Sequence, residues 1–335
     1  MNINKEFMPS VANTIGTDLT KYKVIKKNQF AYNPMQVGRD RTIRVARYPN
    51  DDSAIISPAY KIFQVIDGNV LLPEFLMLYF LRPEFDRVCW FHTDSSIRGS
   101  MDWSKFCDLE IPIPPIEIQK KIVDIYHFFN ERIELKERIN NNLEKFSSAL
   151  AIHIFKNNEN EYIELKEISK FIKGRKPKNI SEIKENNFIN YLTIEVLTNQ
   201  NNSYAFDNKG IKANEYDILI VMDGASSGKL FFGKKGLVGS TLAKLETDEK
   251  YQEIVYQFLK IKESFICENT TGTAIPHTDK SLVLNLQCPM SEDILKFSET
   301  FKTIRLNIIS NNNEINKLQK LRDTLLPKLM SGDIK

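Results

Sequence analysis

Two segments of this 335-residue chain follow one pattern, and that pattern constrains the fold more than any other feature of the sequence. The first, LEIPIPPIEIQKKIVDIYHFFNERIELKERINNNLEKFSSALAIHIF, begins at Leu109; the second, LNLQCPMSEDILKFSETFKTIRLNIISNNNEINKLQKLRDTLLPKLM, begins at Leu284. Each passes through a proline, Pro112 or Pro289, and a helix start signal into about ten turns of heptad-like sequence. Pro115 and Glu117 open the first helix; Ser291, Glu292 and Asp293 open the second, with acidic groups at the positive end of the dipole. Steps of four and three residues give one seam through Ile118, Ile122, Ile125, Phe129, Arg132, Lys136, Ile139, Leu143, Phe146 and Leu150. The other runs through Ile294, Phe297, Phe301, Ile304, Ile308, Asn311, Ile315, Leu318, Arg322, Leu325 and Leu329. Apolar seams do not stay in water, and two in one chain most simply pack on each other, with Arg132, Lys136 and Asn311 fixing register. The alternative packs each helix on its own domain, but roughly 38 residues at about 1.5 Å each make a helix near 57 Å, long for one domain face. Pro327 is expected to kink or loosen the last turn.

The segments before each helix read as mixed α/β. In the first, YKVIKKNQFAYN, AIISPAYKIFQVI and LEIPI alternate like strands, and PEFLMLYFLRPEFDRVCWF has helical spacing. In the second, YDILIVM, GLVGSTLAKLE and LVLNLQC read as strands around the helical YQEIVYQFLKIKESFI. The expected boundaries are a domain over 1–115, a long helix over 116–156, a second domain over 157–290 and a second long helix over 291–335.

Composition limits the function. The net charge is only +3; residues 1–115 hold 14 basic and 13 acidic side chains, and residues 156–290 hold 18 of each. Neither half is a basic domain of the stand-alone DNA-binding kind. No apolar run reaches membrane-span length, and the N-terminus lacks a secretory pattern, so the expected location is the cytoplasm. Cys89, Cys107, Cys267 and Cys288 are scattered, which favours reduced thiols over a zinc site. GASSGKL at 224–230 imitates a phosphate-binding loop but is one residue short and has Leu230 where a Mg²⁺-binding hydroxyl is needed. His92, His127, His153 and His277 show no metal or triad spacing, and Glu182–Lys184 lacks the Pro-Asp strand of a nuclease site. No Asn-Pro-Pro-aromatic run is present to hold a flipped adenine. The expectation is no catalytic or metal site in the chain.

Several motifs resemble those of the specificity (S) subunits of Type I restriction-modification enzymes. LEIPIPPIEIQKKIV resembles the entry to their central conserved helix, and LRDTLLPKLMSGDIK looks like their C-terminal signature. YLTIEVL, YDILIVMDGASSGKLFFGKKGLVGS and TGTAIPHTDKSLVLNLQCP resemble one target recognition domain; FMPSVANTIGTDLTKYKVIKKNQFAYNP, AIISPAYKIF and IRGSMDWSKFCDLEIPIPP resemble the later part of another. The resemblance implies two α/β (α+β) target recognition domains joined by a long antiparallel two-helix coiled coil. Each domain would read half of a bipartite double-stranded DNA site, and the helices would set the spacer. It also implies two methyltransferase (M) subunits using S-adenosylmethionine, restriction (R) subunits using ATP and Mg²⁺, no cofactor in this chain, and a role in phage defence. Relative to the family pattern the first domain starts late, so the expectation is an incomplete front of some 20–40 residues, counted against one domain of ordinary size. A silent cassette and a coiled-coil scaffold without DNA remain as alternatives.

Basic and polar loop residues are the candidates for DNA contact, since Lys and Arg neutralise phosphates and Arg also reads guanine. In the second domain these are Lys173, Arg175, Lys176 and Lys178 in SKFIKGRKPKN, with Lys170 close by. Tyr191, Thr193, Ser226, Ser227, Lys229, Thr270, Thr271, Thr273 and His277 sit on polar turns. In the first domain they are Arg39, Arg41, Arg44 and Arg47, with Arg39, Arg41 and Arg47 on one strand face, and also Gln36 and Arg98. The alternative for each cluster is solvated surface charge. The seam residues expected to matter most are Ile122, Phe129, Ile139, Leu143, Phe301, Ile308, Ile315 and Leu325.

Overall fold

The computed structural model describes residues 1–8, 16, 18–35, 37–93, 99–157, 161–207, 209–272 and 274–331. It divides into two units: residues 1–133 with 317–335, and residues 134–316.

In the first unit, β1 (Lys23–Ile25) pairs antiparallel with β4 (Ala54–Ile56), and β2 (Phe30–Asn33) lies between β3 (Arg44–Arg47) and β5 (Lys61–Phe63). A single turn, α1 (Val37–Asp40), connects β2 to β3. The stretch 73–91 is two helices, α2 (Pro73–Phe80) and α3 (Pro83–Phe91), because Pro83 holds Arg82 extended and occupies the first helical position. These helices and α4 (Trp103–Cys107) close over the sheet, burying Phe30, Tyr32, Val45, Leu76, Phe80, Phe85 and Phe106. Residues 109–113, expected to be a strand, form none. The entry to the next helix, α5 (Ile116–Asn157), is fixed by a buried glutamine: Gln119 donates to the carbonyls of Val70 and Pro114 and accepts from the Leu72 amide, each at 2.8 Å.

The second unit holds a four-stranded antiparallel sheet, in the order β13 (Leu230–Phe231), β12 (Ile218–Val221), β15 (Leu242–Thr247), β7 (Ser169–Lys173). A five-stranded sheet runs β11 (Lys212–Ala213), β14 (Gly236–Val238), β9 (Ile189–Leu192), β10 (Tyr204–Phe206), β8 (Asn179–Ser181), with β14 and β9 parallel. β6 (Tyr162–Glu164) pairs with β16 (Gln287–Pro289), and the turn α6 (Leu165–Ile168) leads from β6 into β7. A further turn, α7 (Ile194–Leu197), follows β9. α8 (Glu249–Ile261) presents Ile254, Val255, Phe258 and Leu259 to the four-stranded sheet, and α5 adds Ala151, Ile154 and Phe155 to the same core. Each of these side chains larger than alanine contributes about 1.5–3 kcal/mol. α9 (Glu263–Glu268) and α10 (Lys280–Leu284) follow; the latter takes Leu282–Leu284 out of the expected strand because Asp279 caps it through the amides of Ser281 and Leu282.

Ser291 caps α11 (Glu292–Leu295), and the last long helix, α12 (Ser298–Ser331), begins after it and runs through Pro327. Within each unit α5 and α12 run antiparallel. In the first, Ile122 and Val123 pack with Phe75, Leu78 and Met330, Arg322 donates to Asn130, and Phe129 and Leu325 share a small hollow with Tyr126. In the second, Lys136 reaches Asn311 and Glu314, and Asn140 accepts from Asn311 and donates to Asn312.

The seam of α12 includes buried Phe301, Ile304, Ile308, Ile315 and Leu318, while Phe297 is more exposed. On α5 alternate positions of the expected seam hold, with Ile122 buried and Phe129, Lys136, Leu143 and Leu150 half-buried, while Ile118, Ile125, Arg132, Ile139 and Phe146 each fall one residue before an inward position. Ile139 is 41% exposed, and Ile118, Ile125 and Phe146 are exposed too, while Ile133, Asn140, Ser147 and Ile154 face inward and Leu143 is half-buried. The polar pairings of Asn140 and Lys136, and the packing of Ala151, Ile154 and Phe155 on the second core, set the phase.

Candidate nucleic-acid interface

Backbone geometry first brings together three side chains of the second unit. β7 ends at Lys173, and at Gly174 a Cβ would stand 2.2 Å from the Gly239 carbonyl oxygen, so only glycine lets the chain pass there. Lys173 Nζ donates to Asp223 Oδ2 at 3.0 Å, and Asp223 Oδ1 lies 2.8 Å from His277 Nδ1. Asp223 follows β12, and His277 is held beside it by Thr278, which donates its amide to Met222 and its hydroxyl to Val221. Thr271 and His277 exchange both backbone hydrogen bonds, at 2.8 and 2.7 Å, across a tight loop in which Gly272 takes φ +91°. Burial pushes the Asp223 carboxyl up, but hydrogen bonds from His277 and Lys173 hold it below its ordinary value. It is a carboxylate, and acceptor-only.

The other candidates in this unit divide by what holds them. Arg175 is joined to Asp207 by two hydrogen bonds, at 2.7 and 3.0 Å, and these with the Lys209 amide keep the Asp207 carboxyl low. Lys176, Lys178, Lys229 and Thr271 are exposed, and Ser226 is half-buried. Lys170 is paired with Glu246. One candidate is corrected. Ser227 is 3% exposed and donates to the carbonyls of Gly224 and Pro276, which makes it a staple between the two loops. Thr193, half-buried, accepts from the Val196 amide as the cap of α7. Tyr191 is buried with Ala205 and Leu237. Thr273 lies outside the described residues.

The first-unit arginines do not share a strand face. Arg39 belongs to α1, Arg41 takes φ +53°, and the strand holds only Arg44–Arg47. Asp40 draws Arg39 (2.7 Å) and Arg44 (2.6 Å) together, and the left-handed turn at Arg41 follows, its guanidinium 4.9 Å from the centre of the Trp90 ring. Arg47 is committed to Glu74 and Asn28 at 2.9 and 2.6 Å. Arg44 and Arg47 are mostly covered, so Arg39 and Arg41 are the exposed pair. Arg98 and Gln36 lie outside the described residues. The acidic partners Asp40, Asp207 and Asp223 were missed in the sequence, because a search for basic clusters gives no weight to the carboxylates that orient them.

Among the described residues no group of histidine, cysteine and carboxylate side chains is placed to hold a metal, and no helix is long and apolar enough to cross a membrane. Cys89 and Cys288 are buried, which pushes both thiols up to about 12.

Two mixed helix–sheet units, each built around its own share of the same two long helices, define the class: a duplicated α/β fold, with polar and basic loops gathered at a sheet end in the second unit. The family model for the Type I restriction modification DNA specificity domain matches residues 4–145 and again 157–320, and the chain belongs to that family. It is 34% identical over 183 residues to the Type I restriction enzyme MjaVIII specificity subunit of Methanocaldococcus jannaschii; that match covers 52% of this chain and 42% of the relative. A match of 26% identity to the MjaIX specificity subunit of the same organism covers 81% of this chain and 71% of that one. The fold is similar to the crystal structure of a Type-I restriction-modification S subunit from M. genitalium, with a TM-score of 0.59 at 18% identity over 92% of this chain and 84% of that chain.

Proposed function

We propose that this chain is the DNA-reading subunit of a Type I restriction-modification complex and performs no chemistry itself. The observation that carries the reading is the double match to the specificity-domain family, one copy for each half of a bipartite site. In this account the loops of residues 173–178, 223–229 and 271–277 in the second domain face the duplex. The paired long helices set the unspecified spacer. Two M subunits supply S-adenosylmethionine-dependent adenine methylation, and R subunits supply ATP- and Mg²⁺-dependent cleavage, all in the cytoplasm.

Two features support dependence on partners. Net charge is +3 over 335 residues, too little to hold DNA through phosphate contacts alone. In addition, α5 leaves Ile125 and Phe128 exposed in the first unit, and Leu135, Ile139 and Phe146 exposed on one helical face in the second, apolar surface suited to protein docking. The test is duplex binding by the chain co-purified with its M subunits, followed by fluorescence anisotropy at increasing salt. The expected result is sequence-dependent binding whose affinity falls steeply with salt. Binding equal for every duplex sequence rejects the reading.

A further inference from the structure

We infer that His277 reads an exocyclic amino group in the major groove, adenine N6 or cytosine N4, and that Asp223 is the positioning residue that fixes the ring in the tautomer required. The inference rests on the second domain being a DNA-reading surface, and it adds the chemistry of one contact.

The Asp223 carboxylate only accepts hydrogen bonds, so the proton of the Asp223–His277 contact at 2.8 Å belongs to Nδ1. In the neutral ring the lone pair is then on Nε2. That atom has no partner among the described residues, and the side chain is 49% exposed. Lys173 holds the second carboxylate oxygen at 3.0 Å, so the two partners take one oxygen each. The backbone of His277 is bridged to Asp223 on one side and Thr271 on the other, its ring is tied to Asp223 through Nδ1, and Gly272 leaves room beside Cδ2, where a Cβ would stand 3.0 Å away. A rigid, outward acceptor on a loop is matched in the major groove by the amino donors of adenine and cytosine, and not by guanine N7 and O6 or thymine O4, which accept.

The experiment uses the complex with its M subunits and a randomised duplex library. If the wild-type complex enriches no sequence, the DNA-reading assignment fails, and this inference fails with it. Given an enriched half-site, His277→Ala is expected to relax one adenine or cytosine position about 5- to 10-fold, the size of one neutral hydrogen bond. Replacing that base by an analogue lacking the amino group should weaken wild type by the same factor and leave His277→Ala unaffected. His277→Gln, whose amide oxygen also accepts, should retain the preference. Asp223→Asn, which can donate to Nδ1 and so leave Nε2 protonated, should shift the preference at that position toward guanine or thymine. A purely structural role would instead lower affinity for all sequences together. The inference is overturned by a uniform loss of that kind, by relaxation at a guanine or thymine, or by an analogue effect equal in wild type and His277→Ala.

Discussion

Arg305 shows how much of this molecule depends on single pairings. It is 3% exposed, bonded to Glu253, itself 6% exposed, and to the Tyr216 carbonyl, with its guanidinium 5.7 Å from the Phe232 and Tyr256 rings. Removing one member of a buried ion pair leaves the other charge unpaired, so Arg305→Leu should cost about 3–5 kcal/mol in urea unfolding, and Arg305→Leu with Glu253→Leu less than the single change. Burial pushes the Glu253 carboxyl up, against the pull of Arg305. A carboxyl raised on folding favours the native state below its unfolded value, and the stability it contributes is lost as pH rises through the folded one. Glu253→Gln should therefore flatten the fall of the urea midpoint over that interval; an unchanged slope would count against it. At this scale the sequence is legible by composition only. The basic runs at 39–47 and 170–178 stand out, but nothing local says that Arg47 meets Glu74 or that His277 meets an aspartate 54 positions away.

Among the elements, the long helices were the most legible part of the chain and also gave the clearest error. Periodicity located both, and the phase of α12 follows from its single rich seam. On α5 half of the expected seam holds: Ile122, Phe129, Leu143 and Leu150 face inward, while Ile118, Ile125, Ile139 and Phe146 face outward, each one residue before an inward position. What decides the phase is polar: Gln119 in the first unit, Lys136 and Asn140 in the second. Asn140→Ala should lower the melting temperature, costing about 1–3 kcal/mol, because the Asn311 and Asn312 amides lose their partner. Asn140→Leu with Asn311→Leu should recover most of that loss; a double variant weaker than the single would argue that the amides do more than satisfy each other. The outward stripe has a different test. Ile139→Glu with Phe146→Glu should leave the circular dichroism spectrum and melting unchanged and abolish co-purification with M subunits. Retained co-purification would move the docking surface elsewhere. Short elements were misread where one residue outweighs periodicity, as at Pro83, which splits a helix, and Asp279, which starts one inside an apolar run.

For the whole molecule, the account is a duplicated reader whose chemistry belongs to its partners. The repeat, the mixed α/β character of both halves and the long helices were all visible in the sequence, because they are written in periodicities many residues long. The loops proposed to read DNA were visible only as polar and basic runs; how they come together was not, because that is set by contacts between segments far apart in the chain. The central claim is that this chain sets the target sequence of a methyltransferase complex, and methylome sequencing of the host with and without the gene tests it most directly. The account predicts that one bipartite adenine-methylation motif disappears on deletion and that expression of the chain restores it. A methylome unchanged by deletion would contradict it.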